Sequence, residues 1–76
     1  MSAWFYQSPV GLLLIRQLRN GDYGLFFEDE LCGQYDDPWA AADDVYSKVT
    51  GCSDWDLSAV PYVDIPTDLG EWTQTR

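Results

Sequence analysis

Carboxylates are the side chains this sequence offers for chemistry in quantity: its 76 residues include thirteen Asp and Glu and no His. Four pairs stand close together, Asp29 with Glu30, Asp36 with Asp37, Asp43 with Asp44 and Asp54 with Asp56. General acid–base catalysis needs two carboxyl groups whose proton affinities are driven apart by a partly apolar cleft, and adjacency in a chain supplies no cleft. Helix caps and solvated faces account for most of these pairs. Without histidine the commonest general base is missing, and with it the Ser-His-Asp and Cys-His arrangements and His-based metal centres. Cys32 and Cys52 form no CxxC and read as structural, half-buried thiols. The D-x-[DN]-x-[DN]-G spacing of a calcium loop does not occur, nor does a Gly-rich phosphate loop. The chain therefore reads as non-enzymatic, with no catalytic residue, no cofactor and no metal.

The elements that must position any binding residues are legible from local pattern. A short aromatic run, Trp4 to Gln7, is separated by turn residues from a β-type run, Leu12 to Arg19. Asn20-Gly21 then marks a hairpin, because a type I′ turn needs positive φ at both central positions, and Tyr23 to Glu28 is the returning strand. A two-residue turn pairs Arg19 with Asp22, Leu18 with Tyr23, Arg16 with Leu25, Ile15 with Phe26 and Leu14 with Phe27. Leu12, Leu14, Leu18, Tyr23, Leu25 and Phe27 then share one face, and Leu13, Ile15 and Phe26 share the other with Gln17 and Glu28. A three-residue turn shifts the register and swaps these partners. Glu28-Asp29-Glu30 reads as a second tight turn before a fourth strand, Leu31 to Tyr35.

Asp37 as N-cap, Pro38 at the first helical position, an Ala-rich body and Gly51 beyond the end predict a helix over 38–50. Trp39, Ala42, Val45 or Tyr46, and Val49 form its apolar stripe, and Asp44 with Lys48 a favourable i,i+4 pair. Residues 52–76 carry no period but hold Trp55, Tyr62, Ile65, Leu69 and Trp72, too apolar for a solvated linker. They read as an extended tail with at most one helical turn, near Asp68 to Trp72, laid over the second apolar face of the sheet. The fold expected is one α+β domain over 1–76: a four-stranded antiparallel meander (3–35), one helix on one face, and the tail (52–76).

Two stretches carry a further pattern, Gly33-x-Tyr35-x-x-Pro38-x-x-Ala41-Ala42-x-x-Val45, and Thr50-Gly51 with Trp55-Asp56 followed by Pro66-x-Asp68-Leu69-x-x-Trp72. In these the chain resembles a family of small uncharacterised bacterial proteins. The resemblance implies a bacterial origin and a compact sheet-plus-helix domain, and no activity.

Charge narrows the partners. Thirteen acids against four Lys and Arg give a net charge of −9, which disfavours direct contact with nucleic acid and with anionic membrane surfaces. The apolar run Gly11 to Ile15 is too short for a leader's hydrophobic region or a membrane span, and with both cysteines read as thiols the expected compartment is the cytoplasm. The leading functional expectation is a protein-binding or accessory domain. Self-association is an alternative, with Leu13, Ile15 and Phe26 meeting their symmetry mates in a homodimer. A third is an acidic nucleic-acid mimic, in which Glu28, Asp29 and Glu30 join Asp36, Asp37, Asp43 and Asp44 in one negative edge that occupies another protein's basic groove.

Overall fold

The computed structural model describes residues 3–75. Strands β1 (Ala3–Ser8), β2 (Gly11–Gln17), β3 (Tyr23–Phe27) and β4 (Glu30–Tyr35) form the expected meander. The sequence predicts four strands, and the structure has five: β5 (Thr73–Thr75), at the end of the tail, pairs antiparallel with β1 through Ala3↔Thr75 and Phe5↔Thr73. The strand order is β4-β3-β2-β1-β5. Helices α1 (Pro38–Ser47) and α2 (Ser53–Asp56) and two 3-10 turns, Tyr62–Asp64 and Leu69–Glu71, lie between β4 and β5.

The β2–β3 register departs from the two-residue reading by one position. The Leu18 N–H donates to Asp22 O at 2.7 Å and the Gly21 N–H to Leu18 O at 3.1 Å, which leaves Arg19, Asn20 and Gly21 as a three-residue loop. Gly21 takes the single positive φ, +94°, and the Asn20 side-chain oxygen accepts from the Asp22 N–H. The two-residue turn with both central φ positive is the next one, at Glu28 (50°) and Asp29 (70°), where no glycine stands. Leu13 therefore pairs with Phe27, Leu14 with Phe26 and Ile15 with Leu25. This slip flips β3 relative to β2, so the expectation that Leu13, Ile15 and Phe26 share a face is corrected. Leu13, Ile15, Leu25 and Phe27 face inward together, and Leu14 shares the outer face with Phe26.

The helix ends three residues before the expected limit. Lys48 adopts a left-handed φ of 57°, and the N–H groups of Lys48 and Val49 bond back to Val45 O and Asp44 O. The expected Asp44–Lys48 pair is not made: the Lys48 ammonium, carried out of helical geometry, donates to Ser58 O at 2.9 Å and Val60 O at 2.6 Å. The N-terminal end is as expected, with Asp37 Oδ1 accepting from the Ala40 N–H at 2.8 Å and Pro38 opening the helix. The buried helical residues are Ala41, Ala42 and Val45, while Trp39 and Val49 of the expected stripe are 57% and 61% exposed. Small side chains at 41 and 42 let the helix backbone approach the sheet, and Trp39 turns away.

The tail lies on the same face of the sheet as α1, not on the second face. Leu13, Ile15, Leu25 and Phe27 meet Ala41, Ala42 and Val45 of α1 and Trp55, Val60, Ile65, Leu69 and Trp72 of the tail in one core. Width explains this. A helix is about 10 Å across with its side chains, whereas five strands at ~4.8 Å span about 24 Å, so α1 covers only part of the face. Trp55 fills the centre, fully buried, with its indole N–H on Val45 O at 3.0 Å, and Tyr6 packs edge-on against both Trp55 and Trp72.

Cys32 and Cys52, expected as thiols, form a disulfide with a Cα–Cα distance of 5.3 Å. The register shifts between Leu25 and Phe26 where β4 bulges beside Cys32, and the chain leaving α1 returns there. Spacing along the chain carries no trace of that return.

Candidate functional site

Because strand side chains alternate, a layer of helix and tail on one face leaves the other face of the sheet to be read from the register alone. One row crosses all five strands: Thr73 on β5, Phe5 on β1, Leu14 on β2, Phe26 on β3 and Leu31 on β4. Beside it runs a second row, Thr75, Ala3, Arg16, Gly24 and Gln34. Leu12 and Leu31 are 36% and 45% exposed, and Phe5, Leu14 and Phe26 are half-buried against one another. The Arg16 guanidinium lies 4.7 Å over the Phe26 ring. Gly24 makes room for this packing: a Cβ there would come within 2.9 Å of Phe26 and 3.0 Å of Leu18.

The charge distribution sets this face apart. Of the thirteen acidic residues, only Glu30 lies within a strand, and it pairs with Phe27 of the inward face. Arg16 is the one basic residue of the strands. The two rows thus hold one cation and no acidic residue in a chain whose net charge is −9, and Glu28, whose carboxylate accepts the Leu12 N–H, borders them.

The expected acidic residues sit elsewhere and in separate groups. Asp29 and Glu30 lie at the β3–β4 turn and Asp36 just beyond the far end of β4, about 20 Å away at ~3.3 Å per residue. The seven carboxylates therefore do not form one edge. Glu28 accepts the Leu12 N–H at 2.7 Å, Asp37 caps α1, and Asp44 accepts the Tyr35 hydroxyl at 2.9 Å. Asp43 is exposed and lines an open groove of about 400 Å³ with Asp37, Trp39, Ala40, Thr67 and Asp68. Of the groove's carboxylates, Asp68 is engaged like Asp37, its Oδ1 accepting from the Gly70 N–H at 2.8 Å.

Leu13 and Ile15 are fully buried beneath α1 and the tail, so of the three apolar candidates only Phe26 reaches an outer surface. Phe5, Leu14, Leu31 and Arg16 complete that surface and were not singled out by sequence reasoning. The signal that finds them is the loop count: three residues at Arg19-Asn20-Gly21 bring Leu14 opposite Phe26.

The remaining polar clusters serve the fold. Asp56 accepts from the Thr50 N–H, the Thr50 hydroxyl and the Gly51 N–H at 3.0, 2.8 and 3.0 Å, holding the loop that carries Cys52. The Tyr35 phenol is pushed well above its ordinary value of 10.0, first by burial, then by its hydrogen bond to Asp44 and the charges of Asp44 and Asp56. Tyr6 is raised by burial and by Asp64, and its hydroxyl donates to Asp64 O at 2.9 Å. Both phenols stay protonated across the neutral range. Among the described residues no group of three or more His, Cys, Asp or Glu is placed to hold a metal ion, and no helix is long and apolar enough to cross a membrane. Compared with known families, curated proteins and solved structures, the chain matches no family model, no curated protein and no solved structure.

Proposed function

We propose that this chain is a non-enzymatic protein-binding domain that docks its partner on the outer face of the sheet. The observation that carries the reading is the band Phe5, Leu14, Phe26 and Leu31, crossing four strands without a carboxylate in a chain that carries thirteen. An apolar band of this extent is a feature of interaction surfaces, whereas scattered exposed apolar residues need no explanation. Substitution tests it. Proteins retained by the immobilised domain should be lost with Leu14→Lys or Arg16→Glu and kept with Asp43→Asn. Equal retention by all three variants refutes the assignment.

A second reading, the acidic mimic, is supported by a different observation: Trp39 is 57% exposed in a groove it shares with Asp37, Asp43 and Asp68. An aromatic ring amid carboxylates suits a cationic segment of a nucleic-acid-binding protein. Retention through this groove should weaken steeply between about 0.05 and 0.5 M salt and vanish in Asp43→Lys. Salt-insensitive retention, or retention that survives that substitution, removes the reading.

Direct nucleic-acid binding is outside both proposals, given the −9 charge. The likeness to small bacterial proteins, and the bacterial origin it implies, remain a proposal resting on the Gly33–Val45 and Pro66–Trp72 motifs. The cytoplasmic placement loses its ground with the thiols: a disulfide between Cys32 and Cys52 fits an oxidising compartment at least as well.

A further inference from the structure

We infer that a second copy of this chain covers the outer face, the two sheets packing face to face about a twofold axis. The inference rests on the reading of that face as a docking surface and names its occupant. Electrostatics discriminates among occupants. A basic partner is drawn to the carboxylates of the turns, α1 and the tail, away from this face. An acidic partner surface sets its carboxylates against a face whose single cation, Arg16, is already stacked on Phe26. An anionic lipid surface meets the same obstacle without a basic cluster to offset it. A second copy brings an identical band that is free of carboxylates, and a twofold axis turns the acid-bearing layer of each protomer outward.

The geometry suits such pairing. The row Thr73, Phe5, Leu14, Phe26 and Leu31 runs straight across the sheet, so an isologous partner can lay the same row against it at the ~10 Å spacing of packed sheets. Five strands at ~4.8 Å and about 17 Å of strand give roughly 400 Å² of projected face per copy, near 800 Å² in total. Accessible area exceeds projected area, yet this remains at or below the low end of stable interfaces, about 1,200 Å². The dimer is therefore weak, dissociating in the micromolar range, and mutual repulsion of two −9 protomers keeps it so.

Sedimentation equilibrium of the full chain tests this at roughly 1–500 µM. The mass should rise with concentration from 8.7 kDa toward twice that, about 17.4 kDa. Raising NaCl from about 0.05 to 0.5 M should increase the dimer fraction, because shortening the screening length relieves like-charge repulsion, and a complex built on opposite charges responds the other way. Arg16→Glu places two carboxylates in the paired face and should weaken association at least tenfold. Arg16 is exposed, so the fold survives the change, and circular dichroism verifies it. Leu14→Ser should produce the same loss, and Asp43→Asn none. A monomer at about 500 µM and 0.5 M NaCl, or a dimer indifferent to Arg16→Glu and Leu14→Ser, overturns the inference. If the chain stays monomeric while Arg16→Glu still abolishes retention of a different protein, the second-copy assignment fails and the docking surface stands. If neither mass nor retention responds to these substitutions, both fail.

Discussion

Replacing both Cys32 and Cys52 by Ala opens a covalent loop that spans 20 residues of the chain. On the chain-entropy model, a cross-link across a loop of that length removes about 11 cal/mol/K from the unfolded ensemble, or roughly 3.3 kcal/mol at 25 °C. A domain of this size has a total stability of about 4–11 kcal/mol, so the loss is roughly 30% of it or more. Unfolding entropy near 2.1 cal/mol/K per residue gives about 160 cal/mol/K for the chain, and the loss becomes a fall of roughly 20 °C in Tm. Trp55 and Trp72 are both buried in the core, so two of the four tryptophans report core opening through the fluorescence. Urea unfolding followed at this signal should show the midpoint falling by about 2–3 M at an m-value near 1–1.5 kcal/mol/M. Wild-type protein treated with reductant should match the double variant. A loss below about 1 kcal/mol refutes the reasoning, because Asp56 and its three donors would then be holding the loop without the cross-link.

Three other outcomes follow from the same packing. Asp56→Ala leaves the Thr50 and Gly51 donors without their carboxylate and should cost about 2–4 kcal/mol in urea unfolding, with the disulfide intact. Burial, with the hydrogen bond to Asp44, holds the Tyr35 proton above the ordinary 10.0 in the folded state, so this group's contribution is fully present below pH 10 and declines as pH rises further; Tyr35→Phe should flatten that alkaline decline in Tm, and an unchanged slope excludes Tyr35 as its source. Trp55→Ala should cost about 3–5 kcal/mol, while Trp39→Ala stays within about 0.5 kcal/mol because its side chain is largely exposed.

What local chemistry decides was legible before the structure. Asp37 and Pro38 mark the helix start because a cap and a missing N–H act within one turn, and turn residues punctuate the four strands of the meander. Register is a weaker reading, since one residue more in the Arg19–Gly21 loop flips every partner of β3 and moves Phe26 away from Leu13 and Ile15. The helix end escaped because Lys48, not a glycine, took the left-handed position, drawn toward the carbonyls of Ser58 and Val60. Those carbonyls, like the Cys32–Cys52 bond and the β1–β5 pairing, belong to residues distant in the chain, and no local pattern encodes a distant neighbour. The outer apolar row was hidden for the same reason: its members are ordinary strand residues until the register aligns them.

The pairing of β5 with β1 also orders events in time. Ala3 and Thr75 are neighbours in the sheet although far apart in the chain, so this contact closes the longest loop among the described residues, at an entropic cost of about 3 kcal/mol beyond that of a two- or three-residue loop. The hairpins of β1 to β4 close loops of a few residues and have no such barrier. On a ribosome, which delivers residues in order, the meander can assemble early, while the β1 edge and the side of the core under Trp72 stay open until residue 75 has emerged. During that interval β1 presents an unpaired edge to any neighbouring nascent chain, which makes Thr73–Thr75 this fold's guard against misassembly during synthesis.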